Sequence, residues 1–215
     1  MNIKLASPIS SGSEIENNRK EENPAFTSDL ELWRRFKSGN NSAFILIYER
    51  FFDSLYSYGL RINRNEELVK DAIHDVFLDL KNSSKSIGDT DSIKFYLFKC
   101  LKRRIYKELK KWTSLKQDLA SQDSFEITFS HEQTLIDHQI NLEKSLSVTK
   151  AIAKLSPRKR EAIYYVYFEG LSYQQVSELM DLADAKSARD LTYKALKCLR
   201  DSLGFLPLFF NVMLP

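Results

Sequence analysis

Cationic and aromatic side chains are concentrated in one short stretch of this 215-residue chain. Residues 94–116 carry nine Lys or Arg side chains and one carboxylate, although the net charge of the whole chain is only +3. Cations neutralise phosphates, and the aromatic side chains among them offer flat faces on which unstacked bases can rest. A solvated helix face would also carry Lys and Arg, but a surplus this one-sided favours binding to a nucleic-acid strand. The predicted contacts are Lys99, Lys102, Arg103, Tyr106, Lys107 and Lys110.

A second polar row lies near the C-terminus, on a helix predicted to begin at about Lys186. Apolar residues recur at spacings of three and four from Ala188 to Leu199, which leaves the polar side chains on the opposite face. Upstream, Ser172 and Gln175 have the spacing of a capping box that opens a short helix. This pair of helices is typical of a helix-turn-helix, whose second helix enters the major groove; a plain packing unit with a solvated face is the alternative. The predicted groove contacts are Lys186, Ser187, Arg189, Asp190, Tyr193 and Lys194.

A third candidate surface lies on a helix predicted over about residues 66–80. Its broad apolar side predicts burial in a core, and a separate face presents four other side chains at spacings of three and four. An apolar side chain beside carboxylates has the composition of an interface anchor that suits a basic partner, although such a face is most often plain solvent surface. These four residues are Asp71, His74, Asp75 and Leu78.

The residues that could bind metal or act as nucleophiles do not converge in the sequence. His74 begins a His-Asp dipeptide of the kind found in metal phosphohydrolases, but His131 and His138 lie in a polar segment where no helix or strand would bring them together. Cys100 and Cys198 lie far apart, each within a helical pattern, and are predicted to be buried small side chains. We therefore predict no catalytic residue, no metal and no cofactor.

The elements that carry these surfaces predict an all-α fold of two small helical domains joined by a polar linker. The chain has only 6 Gly and 5 Pro residues, which argues against a turn-rich β fold. The predicted divisions, in order, are a mobile tail, a first domain, an acidic linker, a helix-turn-helix domain and an apolar tail that either folds back on that domain or docks to a partner. They cover residues 1–26, 27–112, 113–145, 146–203 and 204–215.

The location of the protein is predicted from what the sequence lacks. No stretch approaches the length of a membrane span, so we predict no direct membrane insertion. The N-terminus lacks the continuous apolar core and cleavage site of a signal peptide. Together with the unpaired cysteines, these features predict a cytoplasmic protein.

Three sequence motifs occur in a fixed order along the chain. Residues 71–80 read Asp-Ala-x-x-Asp-Val-Phe-Leu-x-Leu, and residues 95–103 read Phe-Tyr-Leu followed by Arg after five positions. Residues 155–200 contain Leu-Ser-Pro-x-x-Arg, then Glu-Gly-Leu-Ser-Tyr-x-x-Val, then a basic helix ending Ala-Leu-x-x-Leu-Arg. In that order, these motifs resemble the polymerase-binding segment, the minus-10 reading helix and the minus-35 binding region 4 of the extracytoplasmic-function (ECF) sigma factors, a subfamily of the sigma-70 family.

The departures from the family pattern are few. His74 stands where the family commonly has Gln, Arg103 where it commonly has Asn, and Asp181 where it usually has Gly. The turn that follows Asp181 is also one residue longer than the common pattern.

The resemblance implies a transcription initiation factor. It would recruit RNA polymerase to promoter DNA and open the duplex, but it would catalyse no covalent reaction. It would bind core RNA polymerase through the Asp71 face, hold the minus-10 strand on the cationic helix and read minus-35 promoter DNA with the helix-turn-helix. The family's loop corresponding to residues 82–91 forms a pocket for a flipped base. Its linker threads the polymerase channels, and a membrane-anchored anti-sigma factor is a common partner.

Two other functions fit parts of the chain. A stand-alone regulator would use only the helix-turn-helix, but the cationic, aromatic stretch counts against it because a sensory domain needs no strand-binding face. An enzyme would need a Gly-rich phosphate loop, a nucleophile motif or a cluster of metal ligands, none of which the sequence contains.

Overall fold

The computed structural model describes residues 28–115, Phe125 and 140–203, and every regular element within them is a helix, which confirms the all-α prediction. The predicted tails and most of the predicted linker lie outside the described residues, so the domain boundaries stay a prediction. The first half of the chain contains α1 Asp29–Lys37, α2 Asn41–Ile62, α3 Glu66–Ser83 and α4 Ile93–Leu115. The second half contains α5 Ile140–Ala153, α6 Pro157–Ile163, a π-helical turn Tyr164–Phe168, α7 Tyr173–Leu179 and α8 Ala185–Leu203.

Short polar side chains fix where the first helices begin. The side chain of Ser28 accepts a hydrogen bond from the backbone N–H of Glu31 and caps α1, as its spacing predicts. Asn65 caps α3 in the same way. The helix α2 begins at Asn41 because the Asn40 side chain accepts from the N–H of Ala43 at 3.0 Å and caps it.

The close packing of α2, α3 and α4 holds the first half together. The apolar faces of the three helices form its core, in which Tyr58 of α2 stacks on Phe98 of α4 with ring centroids 4.3 Å apart. Gly59 lets α3 approach α2 closely, since a Cβ atom added there would lie 2.5 Å from Val69 Cγ1. The buried indole of Trp33 donates to the carbonyl oxygen of Gly88 at 2.8 Å and so ties the α3–α4 loop to α1.

The helix-turn-helix of the second half comprises α7 and α8. The predicted capping box is present: Gln175 N donates to Ser172 Oγ, and Ser172 N donates to the Gln175 side chain. Asp181, in the turn, has a φ of 51°, a left-handed conformation that explains why Gly suits this position. The carboxylate of Asp184 accepts from Ser187 N at 2.7 Å and caps α8.

A continuous set of buried residues joins the two halves, which the sequence did not predict. The α-helix that begins at Pro157 ends at Ile163, and a π-helical turn follows. This wider turn buries two consecutive side chains, Tyr164 and Tyr165, against the first half.

Candidate functional site

The polar row predicted on α8 lies on its solvent-facing side. Its side chains are all exposed except Ser187, which is half-buried at the N-terminus of the helix and whose N–H is bonded to Asp184. Among the large apolar side chains that the structure describes, that of Tyr193 is the most exposed, at 60%. Because α8 follows the turn of a helix-turn-helix, this row has the position from which a groove-reading helix contacts base edges and phosphates. The exposed members are Lys186, Arg189, Asp190, Tyr193 and Lys194.

The opposite side of α8 packs against α5, α6 and α7. Of the apolar residues that the sequence pattern predicts as buried, Ala188, Ala195 and Leu199 are buried, and the others are half-buried. Thr192 is fully buried as well, which the pattern missed. Its hydroxyl donates to the Ala188 carbonyl oxygen at 2.8 Å, so the helix itself satisfies this polar group.

The cations of α4 divide into two environments. Arg103, Lys107 and Lys110 are exposed. Lys99 and Lys102 instead face the helix-turn-helix, where Lys99 donates to the Glu178 carboxylate at 2.9 Å. This hydrogen bond holds the pKa of the Glu178 carboxyl below its usual value.

Lys102 lies at the centre of a buried hydrogen-bond chain between the halves. Its ammonium donates to Glu161 at 2.8 Å and to the Leu179 carbonyl oxygen at 2.6 Å, at the C-terminus of α7. Tyr165 donates its only hydroxyl proton to the same Glu161 oxygen, so Tyr58 must donate to Tyr165 across the 2.7 Å that separates their hydroxyl oxygens. Burial raises the pKa values of Tyr58 and Tyr165 well above the ordinary value, which keeps both hydroxyls protonated as donors.

Tyr106 lies near this chain but is only partly buried. Its ring is 5.9 Å from the Lys102 ammonium, within the range of a cation–π contact. One aromatic face of the predicted strand-binding surface is therefore in contact with a lysine of that surface.

The α3 face predicted to contact polymerase is mostly exposed. Asp71, His74 and Leu78 are exposed, and Leu78 is 48% accessible although it is apolar. Asp75 is half-buried and forms an ion pair with Arg104 of α4 at 3.3 Å. Arg104 also pairs with Asp79, so this guanidinium links the α3 face to α4.

Two exposed apolar residues on α2 were missed by the sequence analysis. The aromatic spacing of α2 predicts that Tyr48 is buried in the core, but it is 40% exposed, and Ile45 is 47% exposed. The ring of Tyr48 lies 4.7 Å from that of Phe77, the neighbour of Leu78 on α3. Separating the two rows of α2 would have found it. Phe44, Tyr48, Phe52 and Tyr56 follow one row with a spacing of four, and the buried residues follow another, which consists of Ala43, Ile47, Phe51 and Leu55.

Three glutamates of the second half were also missed as functional candidates. Glu161 and Glu178 pair with Lys102 and Lys99, and Glu169 accepts from Lys94 at 3.1 Å and from Ser54 at 3.2 Å. The sequence gives no local signal for these pairs, since each joins residues 59 or more positions apart.

A small cavity lies between α3 and α4 beside the exposed cations. It has a volume of about 230 Å³, and Arg103, Lys107 and Ser83 are among its lining residues. Tyr96 and Cys100 also line it; burial raises the pKa of the Tyr96 hydroxyl to about 12 and raises the pKa of the Cys100 thiol. The cavity is therefore bordered by neutral hydrogen-bonding groups and by cations.

The described residues hold no alternative site of the kinds that the sequence left open. Within residues 28–115 and 140–203, no group of three or more His, Cys, Asp or Glu side chains could hold a metal ion. Both cysteines are free and half-buried. Among the helices in these ranges, none has the length and apolarity that crossing a membrane requires.

Comparison with known proteins agrees with this geometry. The family model "Sigma-70, region 4" matches residues 145–199, which include α6, α7 and most of α8. An ECF RNA polymerase sigma factor SigK of Mycobacterium sp. (strain KMS) is 28% identical over 172 residues, covering 76% of this chain and 86% of the relative. SigM of Bacillus subtilis (strain 168), an ECF RNA polymerase sigma factor, is 22% identical over 139 residues, covering 65% of this chain and 82% of the relative.

Two solved structures share the fold. CnrH, in complex with the cytosolic domain of CnrY, has a TM-score of 0.53 and 17% identity over 83% of this chain and 98% of the other. The sigma factor RpoE of Bartonella quintana, in complex with the anti-sigma factor NepR, has a TM-score of 0.52 and 17% identity, covering 80% and 98%. The all-α architecture is therefore that of known sigma factors.

In this chain, a helix-turn-helix that matches region 4 follows a helical unit with a cationic helix. This combination is typical of a promoter-recognition protein. The chain is similar to the ECF sigma factors of the sigma-70 family, both in its match to region 4 and in its sequence relatives. Proteins of this family are regulatory factors of transcription initiation rather than catalysts.

Proposed function

We propose that this sigma factor divides its work among three surfaces: α3 binds core RNA polymerase, α4 holds the minus-10 strand and α8 reads the minus-35 duplex. The observation that carries the proposal is the placement of α8. One side of that helix is packed into the helix-turn-helix, and the other presents a row of exposed cations and polar groups.

The proposed polymerase contact is centred on Leu78, with Asp71 and His74 exposed beside it. An exposed apolar side chain surrounded by charge is a suitable anchor for a basic partner surface. Tyr48, whose ring lies 4.7 Å from that of Phe77, extends the apolar part of this surface onto α2. Asp75 acts differently: its ion pair with Arg104 couples the orientation of α3 to that of the strand-binding helix.

On α4 the proposed strand contacts are the cations and the aromatic ring of the sequence prediction. Arg103 and Lys107 are accessible and border the α3–α4 cavity, which is a candidate site for an unstacked base. Lys99 and Lys102 contribute only when they leave their glutamate partners in the second half.

The remaining parts of the proposal concern partners and location. The solved neighbours CnrH and RpoE were each determined with a second protein, CnrY and the anti-sigma factor NepR. We propose that an anti-sigma factor also restrains this chain, and that the chain acts in the cytoplasm, where RNA polymerase is found. No bond chemistry is assigned to it.

In vitro transcription with core polymerase and a library of random promoter DNA tests the function. Purified chain plus core enzyme should start transcripts at discrete positions whose upstream DNA shares two sequence elements. Arg189→Ala and Lys194→Ala should weaken selection of the upstream element alone, and Lys107→Ala should reduce opening at the downstream element. A chain that binds duplex operators tightly without polymerase and starts no transcript would instead be a stand-alone regulator.

A further inference from the structure

A lysine amine and a cysteine thiol lie side by side between α6 and α8. The Nζ atom of Lys159 on α6 is 3.1 Å from the Sγ atom of Cys198 on α8 and donates a hydrogen bond to it. Both side chains are half-buried, so a molecule as small as hydrogen peroxide can reach the sulfur. The two residues are 39 positions apart in the sequence, and the fold alone brings these two nucleophiles together.

Contacts on both helices hold the pair in place. The Cys198 side chain packs against the buried cluster that α5, α6 and α8 share. On α6, Arg158 and Arg160 flank Lys159, and each donates to a backbone carbonyl oxygen at 3.1 Å. These two hydrogen bonds anchor the start of α6, so that the Lys159 side chain between them is directed to α8.

The other cysteine has different surroundings. Cys100 is half-buried as well, but its side chain is hydrogen-bonded to the hydroxyl of Tyr96, and burial raises the pKa of its thiol. A hydroxyl beside a sulfur atom cannot form a sulfur–nitrogen bond. Cys100 therefore lacks the partner that Cys198 has, and it serves as an internal comparison within the same chain.

We propose that oxidation by a peroxide joins Cys198 to Lys159 through a sulfur–nitrogen bond, which cross-links α6 to α8. In the first step the thiol sulfur gives an electron pair to hydrogen peroxide, the O–O bond breaks, and the products are a sulfenic acid and water. In the second step the Lys159 amine, which has lost one proton to water, attacks the sulfenic sulfur. The S–N bond forms, the S–O bond breaks, and the hydroxyl leaves as water with a second amine proton.

The cross-link stabilises the helix-turn-helix half and leaves its exposed row uncovered. It closes a loop between residues 39 positions apart, which restricts the unfolded chain as a disulfide does. Neither linked residue belongs to the exposed row of α8 that runs from Lys186 to Lys194. The oxidised chain therefore resists unfolding and keeps the side chains that we propose read DNA.

Mass spectrometry of proteolytic peptides from the full chain, treated with hydrogen peroxide, tests the bond directly. The expected product is a linked pair of peptides that contain Lys159 and Cys198, with a mass about 2 Da below the sum of the two. Dithiothreitol should release the two peptides, because it reduces the sulfur–nitrogen bond. Circular dichroism should show that oxidation raises Tm by at least about 5 °C, since the link closes a long loop.

Lys159→Arg is the matched variant, because it keeps the positive charge and the N–H donor but replaces the amine by a guanidinium that stays protonated. After the same treatment its Cys198 should carry added oxygen without a cross-link, and its Tm should not rise. Lys197→Arg is the control, since Lys197 is an exposed lysine next to Cys198 in the sequence. This variant should form the link to the same extent as the wild type.

Two results would overturn the proposal. One is a wild-type Cys198 that gains oxygen as fast as in Lys159→Arg and forms no bond to nitrogen. The other is a bond from Cys198 to a lysine other than Lys159. The wild-type peptides decide the question even where Lys159→Arg does not fold. The inference is independent of the proposed function, because the masses report the bond whatever the transcription assay shows.

Discussion

Replacing Gly59 with Ala tests whether the close approach of α2 and α3 sets the position of the face of α3 that we propose binds polymerase. An added Cβ would lie 2.5 Å from Cγ1 of Val69, which is fully buried and β-branched and so has little rotamer freedom in a helix. Overpacking of this kind costs about 1–3 kcal/mol, and a contact this short belongs at the upper end. The higher helix propensity of Ala returns about 1 kcal/mol, so the net loss is about 2 kcal/mol.

Thermal unfolding followed by circular dichroism measures this loss. For a chain of this size, about 2 kcal/mol lowers Tm by about 4–8 °C. Gly88→Ala is the matched control, because a Cβ at Gly88 meets nothing within 4 Å and the carbonyl oxygen that accepts from Trp33 is unchanged. Its Tm should stay within about 2 °C of that of the wild type, as for most surface substitutions.

The double variant Gly59→Ala/Val69→Ala decides whether the clash is the cause. Removing the two methyl groups of Val69 makes room for the new Cβ, so the double variant should lose at least about 1 kcal/mol less than the two single variants together. Strict additivity, or a neutral Gly59→Ala, would refute the reasoning that this contact holds α3 against α2. Core polymerase affinity should fall with Gly59→Ala and recover in the double variant, because α3 carries Leu78 and its neighbours.

Three further predictions concern the proposed surfaces and one helix cap. Leu78→Asp should weaken core polymerase binding at least tenfold in a pull-down titration, while Tm stays within about 2 °C because the side chain is exposed. Arg189→Ala should reduce the salt dependence of holoenzyme binding to promoter DNA by about 0.9 in log–log slope, whereas Lys197→Ala, nearer the end of α8, should change it less. Asp184→Ala should lower Tm at neutral pH, because the wild-type carboxylate accepts from Ser187 N and its pKa is held below the ordinary 3.8. Since a lowered folded-state pKa stabilises only while the group is ionised, the difference in Tm should shrink as the pH falls below about 3.8; a constant difference would show that the cap is not electrostatic.

Local chemistry explains which parts of the fold could be predicted from the sequence. The Ser172–Gln175 capping box and the Ser28 cap depend on residues three positions apart, and both were predicted. The buried side of α8 follows from apolar spacing. The burial of Thr192 was not predicted, because this residue is polar and its hydroxyl finds its hydrogen-bond partner within its own helix. Tyr48 was assigned to the core because all the aromatic residues of α2 were taken to lie on one buried face. The helix has two rows of apolar residues, and Tyr48 lies on the less buried one.

The parts that could not be predicted depend on contacts between distant residues. A π-helical turn at Tyr164–Phe168 has no recognised sequence signal, and it is stabilised by burying Tyr164 and Tyr165 against a half of the chain that lies about 100 residues away. The accessibility of the α4 cations could not be predicted for the same reason. Its cations were predicted from composition, but which of them are accessible depends on Glu161 and Glu178, whose positions no local pattern specifies.

The division of the α4 cations also bears on the order of events at a promoter. Arg103 and Lys107 are exposed in this structure, so under the proposed function a strand can reach them while the two halves are still in contact. Lys99 and Lys102 become available only after Glu178 and Glu161 leave. Under the proposed function, strand binding and separation of the two halves then favour each other. A ligand that binds only the separated form of the chain shifts the population toward that form.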